Sequence, residues 1–269
     1  MTTSLRCPLC REHLIADETS ATCNNKHSFD RAREGYFNLL PVQNKNSLNP
    51  GDDADMVVAR REFLEAGFYR PFRDTLCSLV APLKPAHLLD NGCGEGWYST
   101  ALQKMSTKTT AFDISKEAVK RAAKRTRDIT WLVGSSLDIP LQDESVDVMT
   151  AIFSPVTTTE AARVLKPGGH LLIAAPGEKH LWELREALYA EVRPHQADKW
   201  QEELAPHFHF QHEARVQFTI NLTDNIQLNN LLKMTPHYWR AARERRNTVE
   251  QLAALSTQAD FRILSFHKA

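Results

Sequence analysis

The stretch Leu88-Leu89-Asp90-Asn91-Gly92-Cys93-Gly94-Glu95-Gly96 contains two leucines, an acidic residue and then three glycines at every second position. This order predicts a buried strand that ends in a tight turn and continues into a helix near Trp97. Glycine has no Cβ and accepts a positive φ, so the backbone of such a turn can approach a bound ligand closely. A glycine loop alone is weak evidence for a particular ligand, and the residues around it decide the interpretation.

Short apolar segments follow this loop and alternate with segments of helical character. Residues 109–113 form one of them and end in Asp113, and residues 130–133, 146–153 and 165–174 form the next three. In an open α/β sheet a ligand binds at the carboxyl ends of the strands, where Asp113 can accept hydrogen bonds from ribose hydroxyls. The alternation predicts an α/β fold.

Three features together resemble the class I S-adenosylmethionine-dependent methyltransferases. They are the glycine loop, Asp113, and the turn Leu165-Lys166-Pro167-Gly168-Gly169 before an apolar strand. The resemblance implies a class I (Rossmann-like) domain with S-adenosylmethionine as cofactor. A nicotinamide-binding Rossmann domain is the alternative, but its G-x-G-x-x-G spacing is absent. We expect the cofactor to lie against Asp113 and the loop residues Asp90, Gly92, Gly94 and Gly96.

The N-terminal segment carries two short-spaced pairs of metal-ligand residues. Cys7 and Cys10 form the first pair, and Cys23 and His27 follow after twelve intervening residues. Zinc in structural sites takes four thiolate or imidazole ligands, and each pair can sit on one tight knuckle. The spacing predicts one structural Zn²⁺ and makes unrelated reduced thiols the weaker interpretation, while a disulfide does not suit a chain without an export signal. His13 lies inside the spacer and is a poorer fourth ligand than His27.

The composition describes an ordinary globular chain of 269 residues, 42% hydrophobic and 25% charged, with a formal net charge of zero. This length has room for one sizeable core and a small accessory unit. The sequence has no apolar run of the roughly 18 to 20 residues that a membrane span needs, and no signal-peptide core. We therefore expect a cytoplasmic protein without a membrane partner. A nucleic acid would have to be held by local basic patches.

A more specific resemblance comes from several segments taken together. The zinc spacing, EGYFNLLP (34–41), NPGDDADM (49–56), ARREFLEAGFYRP (59–71) and the glycine loop resemble the RlmA-type 23S rRNA (guanine-N1)-methyltransferases. The resemblance implies methylation of N1 of a guanosine in a 23S rRNA hairpin. Two subclasses of this family modify neighbouring guanosines. This chain resembles the Gram-negative subclass, which acts at position 745.

The resemblance also implies a domain organisation. Residues 1–40 would form a zinc-knuckle RNA-recognition domain, residues 41–80 a linker with helices that lead into the core, and residues 81–269 the methyltransferase domain. Residues 41–53, which include the polar linker 43–49, are the expected hinge, and Asp52 or Asp53 can cap the helix that follows.

The family's cofactor site, carried over by position, falls on Tyr69, Gly94, Glu95 and His180. Without the resemblance, Tyr69 is equally well a packed aromatic residue, and His180 is better read as an ordinary histidine that opens the helix after the fifth strand. Methylation of guanine N1 requires a general base. The sequence does not identify that catalytic residue.

Two basic segments are candidates for RNA contact besides the zinc domain. One is the helix after Asp113, and the other follows the aromatic pair Tyr238-Trp239, which can stack an unpaired base. The basic residues are Lys116, Lys120, Arg121, Lys124, Arg125 and Arg127 in the first segment, and Arg240, Arg243, Arg245 and Arg246 in the second.

Two other functions remain open: a methyltransferase acting on a small quinone-like molecule, and a non-catalytic zinc-ribbon RNA-binding adaptor. The sequence also leaves open whether the protein is a monomer or a homodimer.

Overall fold

The computed structural model describes residues 4–41, 51, 53–195 and 199–269. Within these ranges the strands form two sheets, a small one near the N-terminus and a large one that carries the glycine loop. The small sheet is antiparallel, in the order β1-β2-β3-β4. Its strands are β1 (Leu5–Arg6), β2 (His13–Ala16), β3 (Ser20–Thr22) and β4 (Ser28–Asp30).

The large sheet has the order β11-β12-β10-β9-β6-β7-β8-β5 in the described part of the chain. Strands β5 to β10 run parallel, whereas β12 pairs antiparallel with both β10 and β11. The α/β fold class is thereby confirmed. The strands are β5 (Phe37–Asn38), β6 (His87–Asn91), β7 (Lys108–Asp113), β8 (Ile129–Val133), β9 (Val146–Ile152), β10 (Leu165–Pro176), β11 (Phe208–Leu222) and β12 (Leu255–Lys268).

Helices cover both faces of the large sheet. Strand β6 shows why, because all five of its residues are buried. Leu88 packs into one hydrophobic cluster and Leu89 into a different one, as expected for neighbouring residues that point to opposite faces. The helices are α1 (Ala54–Glu65), α2 (Arg70–Val80), α3 (Trp97–Leu102), α4 (Lys116–Ala122), α5 (Thr158–Val164), α6 (Trp182–Leu188), α7 (Trp200–Leu204), α8 (Asn225–Lys233), α9 (His237–Arg240) and α10 (Arg243–Glu250).

Strand β6 occupies the position that creates the ligand crevice. Its neighbours are β7 on one side and β9 on the other, so the connections from these strands leave in opposite directions. Such a switch point opens a crevice at the carboxyl ends of the strands. The chain leaves β6 at Asn91 and enters α3 at Trp97, as the glycine pattern predicts.

Helix α1 begins as the sequence suggests. Asp53 precedes it and its carboxylate accepts a hydrogen bond from the Met56 amide at 2.8 Å. Gly67 follows the helix with φ +85°, the left-handed conformation expected of a glycine just beyond a helix end. Asp52 and residues 42–50 of the hinge predicted at 41–53 lie outside the described residues. None of the helices in the described ranges has the length and apolar character of a membrane span.

The small sheet packs directly on the large one. The Arg6 amide donates to the Pro140 carbonyl at 3.1 Å, and Leu5 forms a bridge with Leu141. Phe37 and Asn38 of β5 pair with β8 and form the outer strand of the large sheet. The segment 1–40 therefore contributes a strand to the methyltransferase sheet as well as the zinc hairpins.

Candidate functional site: a cysteine and histidine cluster and a glycine-loop crevice

The four predicted metal ligands converge in the small sheet. The ligand atoms of Cys7, Cys10, Cys23 and His27 all lie within 4.8 Å of one another. The Cys10 and Cys23 Sγ atoms are 3.7 Å apart, and His27 Nδ1 lies 3.6 Å from Cys7 Sγ and 3.5 Å from Cys23 Sγ. A tetrahedral ion with Zn–S bonds of about 2.3 Å and Zn–N bonds of about 2.0 Å separates its ligand atoms by roughly 3.5 to 3.8 Å. The cluster therefore fits zinc in both ligand type and size.

Two tight turns hold these ligands. The Arg11 amide donates to the Cys7 carbonyl and the Lys26 amide to the Cys23 carbonyl, and both donor residues adopt positive φ. Hydrogen bonds, chiefly from the Glu12 backbone amide, lower the pKa of Cys10 to about 6. A thiolate is the form of cysteine that binds zinc.

We predict that Cys10→Ser abolishes zinc binding, because a structural site depends on all four ligands. Zinc content is measured by atomic absorption on the purified protein. Cys77→Ser is the matched control, since Cys77 is a half-buried cysteine on α2 outside the cluster, and it should keep its zinc. Full zinc content in Cys10→Ser would show that the ligand set is wrong.

The three glycines of the loop differ in what faces them. A Cβ added to Gly92 would lie 2.0 Å from Ser154 Oγ, and one added to Gly96 would lie 2.7 Å from the Trp131 ring. A Cβ on Gly94 would meet only the Arg60 guanidinium, at 3.7 Å. Gly92 and Gly96 are thus needed for close packing within the protein, whereas Gly94 faces the open crevice.

Asp113 lies beside this open glycine. Its Oδ2 accepts a hydrogen bond from the Gly94 amide at 2.9 Å, and its Oδ1 accepts one from the Ser115 amide at 2.8 Å. A carboxylate has about four acceptor positions, so a half-buried side chain of this type can bind a ligand's hydroxyls as well as backbone amides. The sequence-based expectation for Asp113 is compatible with this geometry.

Asp90 is placed beneath the loop. It is 1% exposed, and its two oxygens accept hydrogen bonds from Ser99 Oγ at 2.6 Å and Thr150 Oγ1 at 2.9 Å. These contacts join β6 to α3 and β9. Burial raises the pKa of Asp90 to about 6.

We predict that Asp90 makes the protein less stable as pH rises. Its pKa is about 3.9 in an unfolded chain, so the folded state favours the protonated form. The stabilisation from the protonated carboxyl is complete below the unfolded pKa and is lost as the pH rises through about 6. The free energy of unfolding should therefore fall by about 3 kcal/mol over this range. Asp90→Asn should remove this part of the pH dependence in urea unfolding between pH 4 and 7.5. Equal slopes for the variant and the wild type would contradict the prediction.

Glu95 of the loop is bound by Arg125. The Arg125 Nε donates to the Glu95 carbonyl at 2.7 Å and to its Oε2 at 2.9 Å, while Arg125 Nη1 donates to Glu65 Oε1 at 2.6 Å. Glu95 itself is 2% exposed. Its side chain thus anchors the loop to Arg125 and α1.

Tyr69 and His180, far apart in the sequence, contact the same ring. The centroids of Tyr69 and His180 lie 4.9 and 4.6 Å from that of Phe261, and 6.3 Å from each other. Burial lowers the pKa of His180 to about 3, so the imidazole is neutral, and its Nδ1 accepts a hydrogen bond from the Asp260 amide at 3.3 Å. The expectation that His180 opens a helix is wrong, because α6 begins at Trp182 and His180 lies in the preceding turn.

Sequence reasoning missed Arg60, Asn91 and Tyr98. Asn91 Nδ2 donates to the Pro155 carbonyl at 2.9 Å, but Asn91 Oδ1 and the Tyr98 hydroxyl are buried without a hydrogen-bond partner among the described residues. Buried polar atoms are normally paired. Both residues flank the glycine loop, so a polar ligand bound there would supply the hydrogen bonds that these two atoms lack. Asn91 belongs to the glycine-loop stretch 88–96 and is visible in the sequence, whereas the position of Arg60 depends on tertiary packing.

The C-terminal aromatic pair is close to the surface. Trp239 is 60% exposed, and its ring centroid lies 5.0 Å from that of Tyr238. Arg246 is not simply solvated, because its guanidinium lies 4.7 Å above the Tyr238 ring and donates to the Tyr238 carbonyl. Trp239 is therefore the member of this segment that is free to stack on a partner.

Two family profiles match separate parts of the chain. A zinc-ribbon profile described as the N-terminal part of RlmA matches residues 5–48, and a methyltransferase-domain profile matches residues 89–173. A solved structure provisionally described as a methyltransferase, from Bacillus halodurans, has a TM-score of 0.51 at 17% identity and covers 72% of this chain and 97% of its own. This similarity supports the fold alone.

Two relatives match over most of their length. The 23S rRNA (guanine(748)-N(1))-methyltransferase of Streptomyces fradiae is 34% identical over 243 residues, which is 87% of this chain and 85% of the relative. A Bacillus subtilis protein provisionally named as a 23S rRNA (guanine-N(1)-)-methyltransferase is 31% identical over 273 residues, 96% of this chain and 95% of the relative.

Proposed function

This chain belongs to the family of 23S rRNA (guanine-N1)-methyltransferases, and we propose that its target is the guanosine at position 745, in a hairpin of 23S rRNA. The enzyme methylates N1 of a guanosine in ribosomal RNA. The finer position rests on the overall resemblance of the chain to the Gram-negative subclass of this family. The Streptomyces fradiae relative carries position 748 in its name, so that neighbouring guanosine is the competitor to be tested.

We propose S-adenosylmethionine as the methyl donor and one Zn²⁺ as a structural ion. The single observation that supports the donor most strongly is the pairing of Asp113 with the amide of Gly94, the glycine that faces the crevice. Asp113 would receive the ribose hydroxyls, and the Gly94 backbone would lie against the cofactor. When bound, the cofactor supplies an electrophilic methyl group. Zinc would be held by Cys7, Cys10, Cys23 and His27.

The protein's part in such a transfer is mainly to position the acceptor, because aligned reactants remove much of the entropic barrier. Tyr69 and Phe261 are buried and His180 is half-buried, and together they form an aromatic wall that would exclude water from the reacting atoms. Phe153 extends this wall toward solvent: it is 45% exposed, and its centroid lies 5.4 Å from that of Phe261. A flipped base could enter along this side.

We further propose that residues 1–40 read the RNA, that residues 41–80 link them to the core, and that residues 81–269 carry out methylation. Trp239 would stack on an unpaired base, since it is a large exposed aromatic residue beside arginines. Because ribosomal RNA is the substrate, we also propose a cytoplasmic location.

The two alternative functions are less well supported. A quinone-like substrate would leave the zinc ribbon without a role, although the similarity to rRNA methyltransferases extends across it. A non-catalytic adaptor would not need the open face of Gly94 and the carboxylate beside it.

Methylation of short hairpins tests the proposal directly. Zinc-loaded protein and S-adenosylmethionine with a labelled methyl group are mixed with three transcripts: the natural hairpin, one with adenosine at 745, and one with adenosine at 748. We expect the label to be lost only from the transcript altered at 745. Loss only at 748 would overturn the position. No label on any of the three would overturn the assignment of a hairpin as substrate.

We predict that Asp113→Ala weakens S-adenosylmethionine binding by about 1.5 to 3 kcal/mol, because a charged hydrogen-bond acceptor is lost. Titration calorimetry measures the affinity. The Gly94 and Ser115 amides also lose their acceptor, so both proteins are compared at a temperature where each is folded. Asp74→Ala is the matched control, since Asp74 is an exposed α2 carboxylate that pairs only with Arg73 among the described residues. Unchanged affinity in Asp113→Ala would remove Asp113 from the site.

We predict that Trp239→Ala loses about 1 to 3 kcal/mol of RNA affinity through lost stacking. The dependence of binding on salt should stay the same, because a stacking contact releases no counterions. Fluorescence anisotropy with a labelled hairpin, repeated at several salt concentrations, measures both quantities. Full affinity in a stably folded variant would assign Trp239 another role.

A further inference from the structure

A groove of about 610 Å³ lies between the segment that follows the zinc ribbon and the end of α4. Four of its lining residues are cations, and one is a carboxylate. Arg33 and Glu34 come from the zinc-ribbon side, whereas Lys124, Arg125 and Arg127 come from the methyltransferase core. The groove thus joins two parts of the protein that the sequence treats as separate domains.

Only three of these cations are available to a ligand. Arg125 is engaged by the carboxylates of Glu95 and Glu65. Arg33, Lys124 and Arg127 are exposed, and none of them pairs with a carboxylate in the part of the chain that the structure describes. These three cations outnumber the carboxylate of Glu34, so the groove has a net positive charge.

The packing holds the Arg127 guanidinium against the zinc-ribbon side of the groove. The Arg127 guanidinium lies where a side chain on Gly35 would begin, because a Cβ built there would be 2.0 Å from Arg127 Nη1. Arg127 Nη2 also donates to the Arg33 carbonyl at 3.4 Å. Like charges held together repel each other, and a bound anion would offset that repulsion.

We propose that this groove, with Arg33 on one wall and Lys124 and Arg127 on the other, binds phosphates of the RNA strand that carries the target guanosine. The inference rests on the proposed function, which supplies RNA as the partner. The formal net charge of the chain is zero, so attraction to RNA has to come from local clusters such as this one. A strand bound here would contact the zinc-ribbon segment and the core together.

Salt dependence of RNA binding distinguishes phosphate contacts from other contacts. Each phosphate contact contributes about 0.7 to 0.9 to the slope of log affinity against log salt. The double variant Lys124→Gln with Arg127→Gln should therefore flatten the slope by about 1.4 to 1.8, and Arg33→Gln by about half as much. Affinity for S-adenosylmethionine should not change. Binding is measured by anisotropy on the full-length, zinc-loaded protein.

The matched control is Lys84→Gln with Lys104→Gln. It removes the same number of charges from two exposed lysines that precede β6 and β7 and do not line the groove. This variant should keep the wild-type slope. If the groove variant has the wild-type slope, or if the control flattens it equally, the groove proposal is overturned while the proposed function stands. If the wild type itself binds the hairpin no better than an unrelated RNA, the hairpin assignment fails first.

Discussion

The close packing of the turn between β6 and α3 is the constraint on which the cofactor site depends. On one side Gly92 meets Ser154, which follows β9, and on the other Gly96 meets Trp131 of β8. Any side chain at either glycine would push these neighbours away. Because the turn is confined on both sides, its middle residue, Gly94, is left facing the crevice, where Asp113 of β7 accepts its amide hydrogen. The site is thus assembled by the sheet before any ligand arrives, which lowers the entropic cost of binding.

Arg125 connects this turn with the surface that we propose for RNA. Its guanidinium bonds to Glu95 within the loop and to Glu65 on α1, and its side chain also lines the groove. The two carboxylates neutralise it, so the charge that remains for phosphates belongs to Arg33, Lys124 and Arg127. The sequence alone does not distinguish the basic residues that line this groove. In the folded chain, Arg125 supports the cofactor loop, whereas Arg33, Lys124 and Arg127 face solvent.

The sequence predicted those features that depend on local order. The glycine loop, the strand that ends in Asp113, the cap at Asp53 and the zinc ligands all follow from spacing within short segments. It did not predict the contact of Tyr69 and His180 through Phe261, because β12 reaches them from the far end of the chain. The placement of Arg60 and the pairing of β5 with β8 also depend on tertiary packing. Asp90 lies in β6 and Glu95 in the loop, and both buried carboxylates are bound within the protein, Asp90 by Ser99 and Thr150 and Glu95 by Arg125.

The attachment of the zinc sheet explains how so small a unit can position a substrate. About 40 residues cannot bury a sufficient core alone, and here Cys7 and Cys23 share a hydrophobic cluster with Leu89 and Leu132 of the large sheet. Arg6 of β1 forms ion pairs with Asp138 and Glu160 in the core. Since both the ribbon and the glycine loop are packed against the same sheet, the distance between them is a property of the fold. An RNA held by the ribbon would therefore reach the cofactor crevice at a distance that the folded chain sets before the RNA binds.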